Sequence, residues 1–424
     1  MKIIPYGRQH ITEEDINAVV ITLNSDFLTQ GPQIGEFEKN FAKYVGSNYA
    51  VAVSNGTAAL HLCTMALNVK PGDKVITTPI TFAASANCVR YCGGEVIFAD
   101  IDPNTYLLDI NAVKQVIEKD TSGNIKGIIP VDFAGFAVNL EEFRKLADEY
   151  GLWMIEDACH APGGYFVDSK GEKQRCGNGQ FAELSVFSFH PVKHIAAGEG
   201  GMITTNDEKL YKKLLTLRTH GITKDAGIFQ NTLDTAFGIQ PIANEESSVN
   251  DSITNDAKQM TGEAQNDSRR LNDFPGWYYE MQELGYNYRL TDFQAALGHS
   301  QLKRADEGLK RRIEIAQTYL EAFSGNPFVK GQSGVVEGHA YHLYVLEVEN
   351  RMGLYQHLRA HNIFAQIHYV PLHLMPYYKQ YGWKEGNLPQ AETYYSGCIS
   401  LPMYPTLTTE EQSLVIDKIN EFYK

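Results

Sequence analysis

Tyr49-Ala-Val-Ala-Val-Ser-Asn-Gly-Thr-Ala-Ala-Leu-His-Leu-Cys-Thr-Met-Ala-Leu67 changes character at a glycine. Tyr49 to Ser54 reads as a strand, and Thr57 to Leu67, which follows the Gly56 turn, reads as a helix. The same alternation continues outward. Lys74-Val-Ile-Thr-Thr78 is the next strand, and a helix from about Phe82 ends at Gly93-Gly94, where a missing Cβ tolerates a left-handed cap. Glu95 to Asp100 follows as a strand. Ile128 to Asp132 then feeds a helix with Leu140, Phe143, Leu146, Ala147 and Tyr150 on one face, closed by Gly151. Strands alternating with helices give the expectation of an α/β fold with a mostly parallel central sheet flanked by helices.

The strand Leu152-Trp-Met-Ile155 carries Glu156-Asp157 at its C-terminal end, where open α/β sheets place their ligand crevices. Further on, 240–270 is rich in Asn, Asp, Ser, Glu and Gln with no period, and reads as a mobile surface loop. Thr291 to Phe323 is long helical sequence with Leu297, Leu302, Leu309, Ile313 and Tyr319 on a core-facing stripe. Strands near Ala340–Val348 and Phe364–Val370 and a helix at Thr409–Tyr423 complete a smaller α/β part. The expected division is an N-terminal segment 1–30, a large domain 31–300 and a small C-terminal domain 301–424.

Composition narrows the function. A chain of 424 residues with 43% apolar side chains can bury a large core, and a formal net charge of -14 argues against sequence-independent nucleic-acid binding. The opening Met-Lys-Ile-Ile-Pro-Tyr lacks an apolar signal region, and no run reaches the ~18 apolar residues of a membrane span. A cytoplasmic enzyme with small-molecule substrates is expected. The six cysteines, Cys63, Cys88, Cys92, Cys159, Cys176 and Cys398, lack both zinc-site spacing and disulfide density, so no metal is expected.

Four separated segments carry candidate chemistry. In Ser188-Phe-His-Pro-Val-Lys193, apolar neighbours desolvate the Lys193 amine and free its lone pair, although a lysine alone is more often a solvated surface residue. Asp157 is suited to keeping a pyridine nitrogen protonated, and it is equally suited to capping a helix. His160 stands within reach of a phenolic oxygen, or it is simply a satisfied buried histidine. The turn Ser54-Asn-Gly-Thr-Ala58 offers free amides and the Thr57 hydroxyl at the positive end of a helix, where a phosphate belongs, and Ser188 can add a hydroxyl. It is neither a Walker motif nor a dinucleotide fingerprint. Phe82 can stack on a cofactor ring or serve as plain core. The fourth segment, Gly285-Tyr-Asn-Tyr-Arg-Leu-Thr-Asp292, is a polar and aromatic cluster that also reads as a capped helix start. Together these are the requirements of a pyridoxal phosphate site.

With these pieces assembled, the chain resembles the sugar-nucleotide aminotransferases of the DegT/DnrJ/EryC1/StrS family, which have the type I pyridoxal phosphate fold. The landmarks are Leu28-Thr-Gln-Gly-Pro32, Ser54 to Ala58, Ile155-Glu-Asp-Ala-Cys-His160, Ser188 to Lys193 followed by Gly198-Glu-Gly-Gly201, and Tyr286-Asn-Tyr-Arg289. The resemblance implies that Lys193 forms the Schiff base and shuttles protons, and that Asp157 meets the pyridine nitrogen. It places His160 by the phenolic oxygen, Gly56, Thr57, Ala58 and Ser188 at the phosphate, and Phe82 against the ring. Asn287 would reach the phosphate of a neighbouring subunit in a homodimer with shared sites.

Within the family, Ile4-Pro-Tyr-Gly-Arg8, Phe187 to Lys193, Trp277-Tyr-Tyr-Glu-Met-Gln282 and Ile367-His-Tyr-Val-Pro371 resemble enzymes of pseudaminic acid type pathways. These move an amino group from glutamate, released as 2-oxoglutarate, to C4 of a UDP-linked 4-keto-6-deoxy-N-acetyl-hexosamine. Tyr6, His190 and His368 are the candidate substrate contacts. The alternatives are a different keto sugar nucleotide, or a non-catalytic regulator that kept the fold. A dehydratase of the same family is disfavoured, because those members have His where this chain has Lys193.

Overall fold

Strand Tyr49–Val53 runs into helix Gly56–Ala66 as the change of period at the glycine implies. The protein is described by a computed structural model covering residues 3–231, 274–331 and 335–424, so the polar stretch 240–270 lies outside the described residues. The chain divides into two compact units, Met1–Leu215 with Tyr288–Lys424, and Thr216–Asn287.

In the first unit a seven-stranded sheet has the order Tyr49–Val53, Gly201–Thr205, Leu184–Ser188, Trp153–Asp157, Ile125–Ile129, Lys74–Thr77, Glu95–Phe98. Only Gly201–Thr205 is antiparallel to its neighbours; Gly201 stands opposite Val53 on one side and Ser188 on the other. The remaining pairings are parallel. Helices on such a sheet bury its strands from both faces, and Val51 to Val53, Met154 to Asp157 and Gly201 to Thr205 are all buried. The type I aminotransferase architecture expected from sequence is present.

Leu184–Ser188 and Gly201–Thr205 are central strands that the sequence reading did not mark. The long helical stretch after Thr291 is two helices, Asp292–Leu302 and Ala305–Phe323. Phe364–Val370 is not a strand. Ile363–Phe364 pairs in parallel with Ile4–Pro5, after which only Gln366 makes an isolated bridge, to Ser400.

Helix Pro32–Val45 begins with proline at its first turn and ends at Gly46 in the left-handed region. Its buried face carries Phe37 and Phe41 onto Phe187 and Phe189, with ring centroids 4.9 to 5.5 Å apart. Phe189 thereby anchors the segment leading to Lys193.

A second cluster lies on the antiparallel sheet Val329–Gly331, Tyr344–Val348, Cys398–Leu401. There Leu354 and Leu358 of helix Arg351–Ala360 meet Val415 and Ile419 of helix Thr409–Phe422. In the second unit, Ile222–Thr223 pairs with Glu280–Met281, and the Glu280 carboxylate accepts the Gln230 and Asn231 amides.

Candidate active site

Because Tyr49–Val53, Trp153–Asp157 and Leu184–Ser188 run in one direction, their carboxyl ends share one edge of the sheet. The turn at Asn55, the segment after Asp157 and the segment after Ser188 therefore converge. Asn55 caps the helix by accepting the Ala58 amide at 2.8 Å. Sequence reasoning assigned Ala58 to the phosphate cup, but its N–H is thus already engaged, and the first two amides, of Gly56 and Thr57, are the ones without a partner among the described residues. A Cβ on Gly56 would sit 3.0 Å from Ser188 Cβ, and one on Gly201 would sit 2.6 Å from the Asn55 carbonyl, so both glycines allow this close approach.

Asp157 is buried at the end of its strand. Ser85 Oγ donates to its Oδ2 at 2.6 Å and the Cys159 amide to its Oδ1 at 3.2 Å, and no cation pairs with it among the described residues. His160 is buried beside it. Its Nδ1 accepts the Ala134 amide at 3.2 Å, and burial together with the positive charge of Lys193 pushes its pKa well below the usual imidazole value. The ring is therefore neutral, with its hydrogen on Nε2, which lies 3.4 Å from the Tyr369 hydroxyl.

Lys193 follows a turn in which its amide donates to the His190 carbonyl at 2.8 Å. Loss of hydration pushes its amine down to about 8, opposed by the acids Cys159 and Asp157 and reinforced by the positive charge of Arg312. Nζ lies 3.5 Å from His342 Nε2. His342 is also held neutral by burial, and its ring is 4.4 Å from that of His160. Arg312 is buried with no acidic partner among the described residues; one guanidinium nitrogen donates to the carbonyls of Tyr341, His342 and Met403, which fixes the segment bearing His342. A cavity of about 190 Å³ lined by Arg8, His10, Lys193, His194 and Arg304 opens beside the lysine.

Of the remaining candidates, Phe82 is 61% exposed, its ring 6.4 Å from Tyr369. Tyr6 and His368 lie against each other with ring centroids 5.1 Å apart. His190 is exposed. Asn287 is exposed in the second unit, where it bridges Thr219. Sequence reasoning missed Ser85, His342 and Tyr369. Tyr369 lay inside the quoted Ile367-His-Tyr-Val-Pro371 run, whereas nothing local marked Ser85 or His342.

The donor set fits pyridoxal phosphate. A half-buried amine of lowered basicity, a carboxylate with no cation among the described residues, a neutral imidazole with an N–H and two unfilled helix-start amides are its four requirements, and they occupy one sheet edge. Fold and site together define the aminotransferase class of pyridoxal phosphate proteins.

The sequence profile of the DegT/DnrJ/EryC1/StrS aminotransferase family matches residues 9–242 and 250–420. The chain is 36% identical to the spore coat polysaccharide biosynthesis protein SpsC of Bacillus subtilis, over 99% of this chain and 97% of that protein. It is 32% identical to the UDP-4-amino-4,6-dideoxy-N-acetyl-beta-L-altrosamine transaminase of Campylobacter jejuni, over 98% and 96%. Among solved structures, Helicobacter pylori PseC, an aminotransferase of pseudoaminic acid biosynthesis, superposes with a TM-score of 0.80 at 28% identity, covering 100% of this chain and 99% of that one. The PLP-form of the putative sugar aminotransferase Spr1654 of Streptococcus pneumoniae gives 0.80 at 26% identity, with coverages of 100% and 99%. The protein belongs to the DegT/DnrJ/EryC1/StrS family and is a pyridoxal-phosphate-dependent sugar aminotransferase. Among the described residues no helix is long and apolar enough to cross a membrane.

Proposed function

We propose that the protein transfers an amino group from glutamate to C4 of a UDP-linked 4-keto-6-deoxy-N-acetyl-hexosamine, as in pseudaminic acid type pathways, working in the cytoplasm as a homodimer. The observation that carries the chemistry is the half-buried, desolvated Lys193 amine on the same sheet edge as Asp157 and His160. The substrate class rests on the likeness to the C. jejuni transaminase and to PseC.

Lys193 is the amine that would hold the cofactor aldehyde, with Asp157 meeting the ring nitrogen and the His160 Nε2–H the phenolic oxygen. The Gly56 and Thr57 amides and the Ser188 hydroxyl take the phosphate, Phe82 lies against the ring, and Asn287 comes from the neighbouring subunit. Bound there, pyridoxal phosphate supplies an electron sink that acidifies the carbon next to the transferred nitrogen. With the cofactor bound, the Lys193 amine would be the group that moves a proton between the two reacting carbons, and a pKa near 8 suits it to both taking and giving that proton at neutral pH. His342 keeps Nζ in place during this exchange, and the packed rings of His160, His342 and Tyr369 keep water out. Tyr6, His190 and His368 contact the sugar nucleotide. Glutamate leaves as 2-oxoglutarate while the ketone becomes the amine, so no further oxidant or reductant is needed.

SpsC, at 36% identity, favours a second reading in which the acceptor is a different keto sugar nucleotide. A panel of keto sugar nucleotides, incubated with the holoenzyme and glutamate and assayed for 2-oxoglutarate and amino sugar, separates the two. Amination of the UDP-linked N-acetyl sugar is the expected result. Turnover of another nucleotide alone rejects that acceptor, and the absence of a visible cofactor band with any preparation rejects the Lys193 assignment.

A further inference from the structure

Outside the residues assigned to the cofactor, two groups of metal-type donors come together among the described residues. In the first, Asp132, Glu156 and Cys176 are all buried, and Asp132 Oδ2, which has no hydrogen-bond partner among the described residues, is the atom free to carry a proton. Glu156 Oε2 accepts from Ser185 Oγ at 2.6 Å and from the Gly177 amide at 2.9 Å, and burial beside Glu156 keeps Asp132 protonated, so one shared proton settles the pair.

The second group is different. His357 lies in the last turn of helix Arg351–Ala360, and His361 caps its end one turn further on, so the two imidazoles fall on the same side, with ring centroids 4.6 Å apart. Glu421, from the C-terminal helix Thr409–Phe422, brings a carboxylate oxygen to within 4.8 Å of a nitrogen of each. His361 Nδ1 lies 2.9 Å from the His357 carbonyl. A carbonyl only accepts, so Nδ1 bears the hydrogen and Nε2 keeps its lone pair, the arrangement that orients metal-bound imidazoles. His357 Nε2 is shielded from solvent and has no hydrogen-bond partner. The carbonyl end of a helix is negative and favours a cation. One cation is already attached to the carboxylate, since Lys418 Nζ lies 2.6 Å from Glu421 Oε2 and holds Glu421 below the usual carboxylate range.

We propose that His357, His361 and Glu421 form a site for a divalent transition metal of the zinc type, which ties helix Arg351–Ala360 to the C-terminal helix. Two imidazoles and one carboxylate are the donor set such an ion takes, with water in the fourth position. Zinc bonds of about 2.0–2.2 Å need donor atoms roughly 3.3 Å apart. Exposed Glu421 closes the present spacing by exchanging Lys418 for the metal. The two helices already share a packed face through Leu354, Leu358, Val415 and Ile419, so the ion adds a crosslink to a preformed contact. Sequence reasoning, which expected no metal, had no signal for this site, because its donors are separated in sequence and follow no cysteine motif.

The test uses the full-length holoenzyme, stripped with chelator and dialysed against micromolar ZnCl2, with metal content, the visible spectrum of the Co2+ form and the melting temperature as readouts. The expected result is about one equivalent of Zn2+, tetrahedral Co2+ bands and a melting temperature raised by a few degrees. His357→Gln and Glu421→Gln should each weaken uptake at least tenfold while leaving aminotransferase turnover unchanged. Zinc uptake that is unaltered in both variants, or no retention by the wild type at about 10 μM free metal, far above the dissociation constants of structural zinc sites, overturns the proposal.

Discussion

Ser85 Oγ donates a 2.6 Å hydrogen bond to Asp157 Oδ2. Its hydroxyl orients a carboxylate at the sheet edge that pairs with no cation among the described residues. A hydrogen bond to a charged group contributes about 1.5–3 kcal/mol. Ser85→Ala should therefore weaken pyridoxal phosphate binding roughly tenfold to a hundredfold, and Asp157→Ala more. Titrating apo-protein with cofactor and following the visible band measures this; equal affinities for Ser85→Ala and wild type would remove Ser85 from the site.

Lys193 sets a pH dependence. Its folded value is about 8 against 10.5 for the free side chain, through burial and Arg312, opposed by Cys159 and Asp157, with the neutral rings of His160, His194, His342 and His368 around it. The neutral amine is the form that attacks an aldehyde, so cofactor capture by apo-protein should rise about tenfold per pH unit up to pH 8 and then level off. A midpoint near 10.5 in stopped-flow absorbance would contradict the buried assignment. The stability sign is the same: the cost of the buried charge is full below pH 8 and fades as pH rises toward 10.5.

His342→Ala removes the neighbour at 3.5 Å from Nζ. Turnover should fall by about one to two orders of magnitude with the KM for sugar nucleotide little changed, because the group acts on the lysine rather than on the substrate. His342→Gln, which retains an acceptor, should recover part of the rate. A change in KM alone would assign His342 to binding.

Five histidines, His160, His339, His342 and His368, which are buried, and His194, which is half-buried, are held uncharged by desolvation, with His339 and His368 near 3. Each is protonated in the unfolded chain below about 6.5 but not in the folded one, so acid favours unfolding. Asp132 acts in the opposite sense, by about one proton. Urea midpoints should accordingly drop steeply between pH 6.5 and 5. A flat profile over that interval would mean the rings take up protons without unfolding.

What was legible in the sequence was local. Tyr49 to Leu67 carries strand, turn and helix signals within one short stretch, and the Lys193, Asp157 and Gly56 segments each showed chemistry beside a recognisable element. Leu184–Ser188 and Gly201–Thr205 were not, because Leu-Ser-Val-Phe-Ser and Gly-Met-Ile-Thr-Thr are five-residue stretches of mixed apolar and hydroxyl residues, too short to show a period. Ser85 and His342 were not legible for a different reason. Their partners are 72 and 149 residues away, and only the packing of the sheet edge brings them together. Phe364–Val370 looked like a strand by composition, yet its ladder ends after Phe364.

The antiparallel strand Gly201–Thr205 also has a temporal meaning. Tyr49–Val53 has no other neighbour in the large sheet, so the turn at Asn55 to Thr57 cannot be locked until the chain has been synthesised through Thr205. A nascent protein that emerges N-terminus first must hold this edge open while the intervening strands form, which makes the phosphate turn a late event on the ribosome. Competence to bind cofactor therefore reports completion of the large sheet, and stalled chains shorter than this should remain colourless whatever cofactor surrounds them.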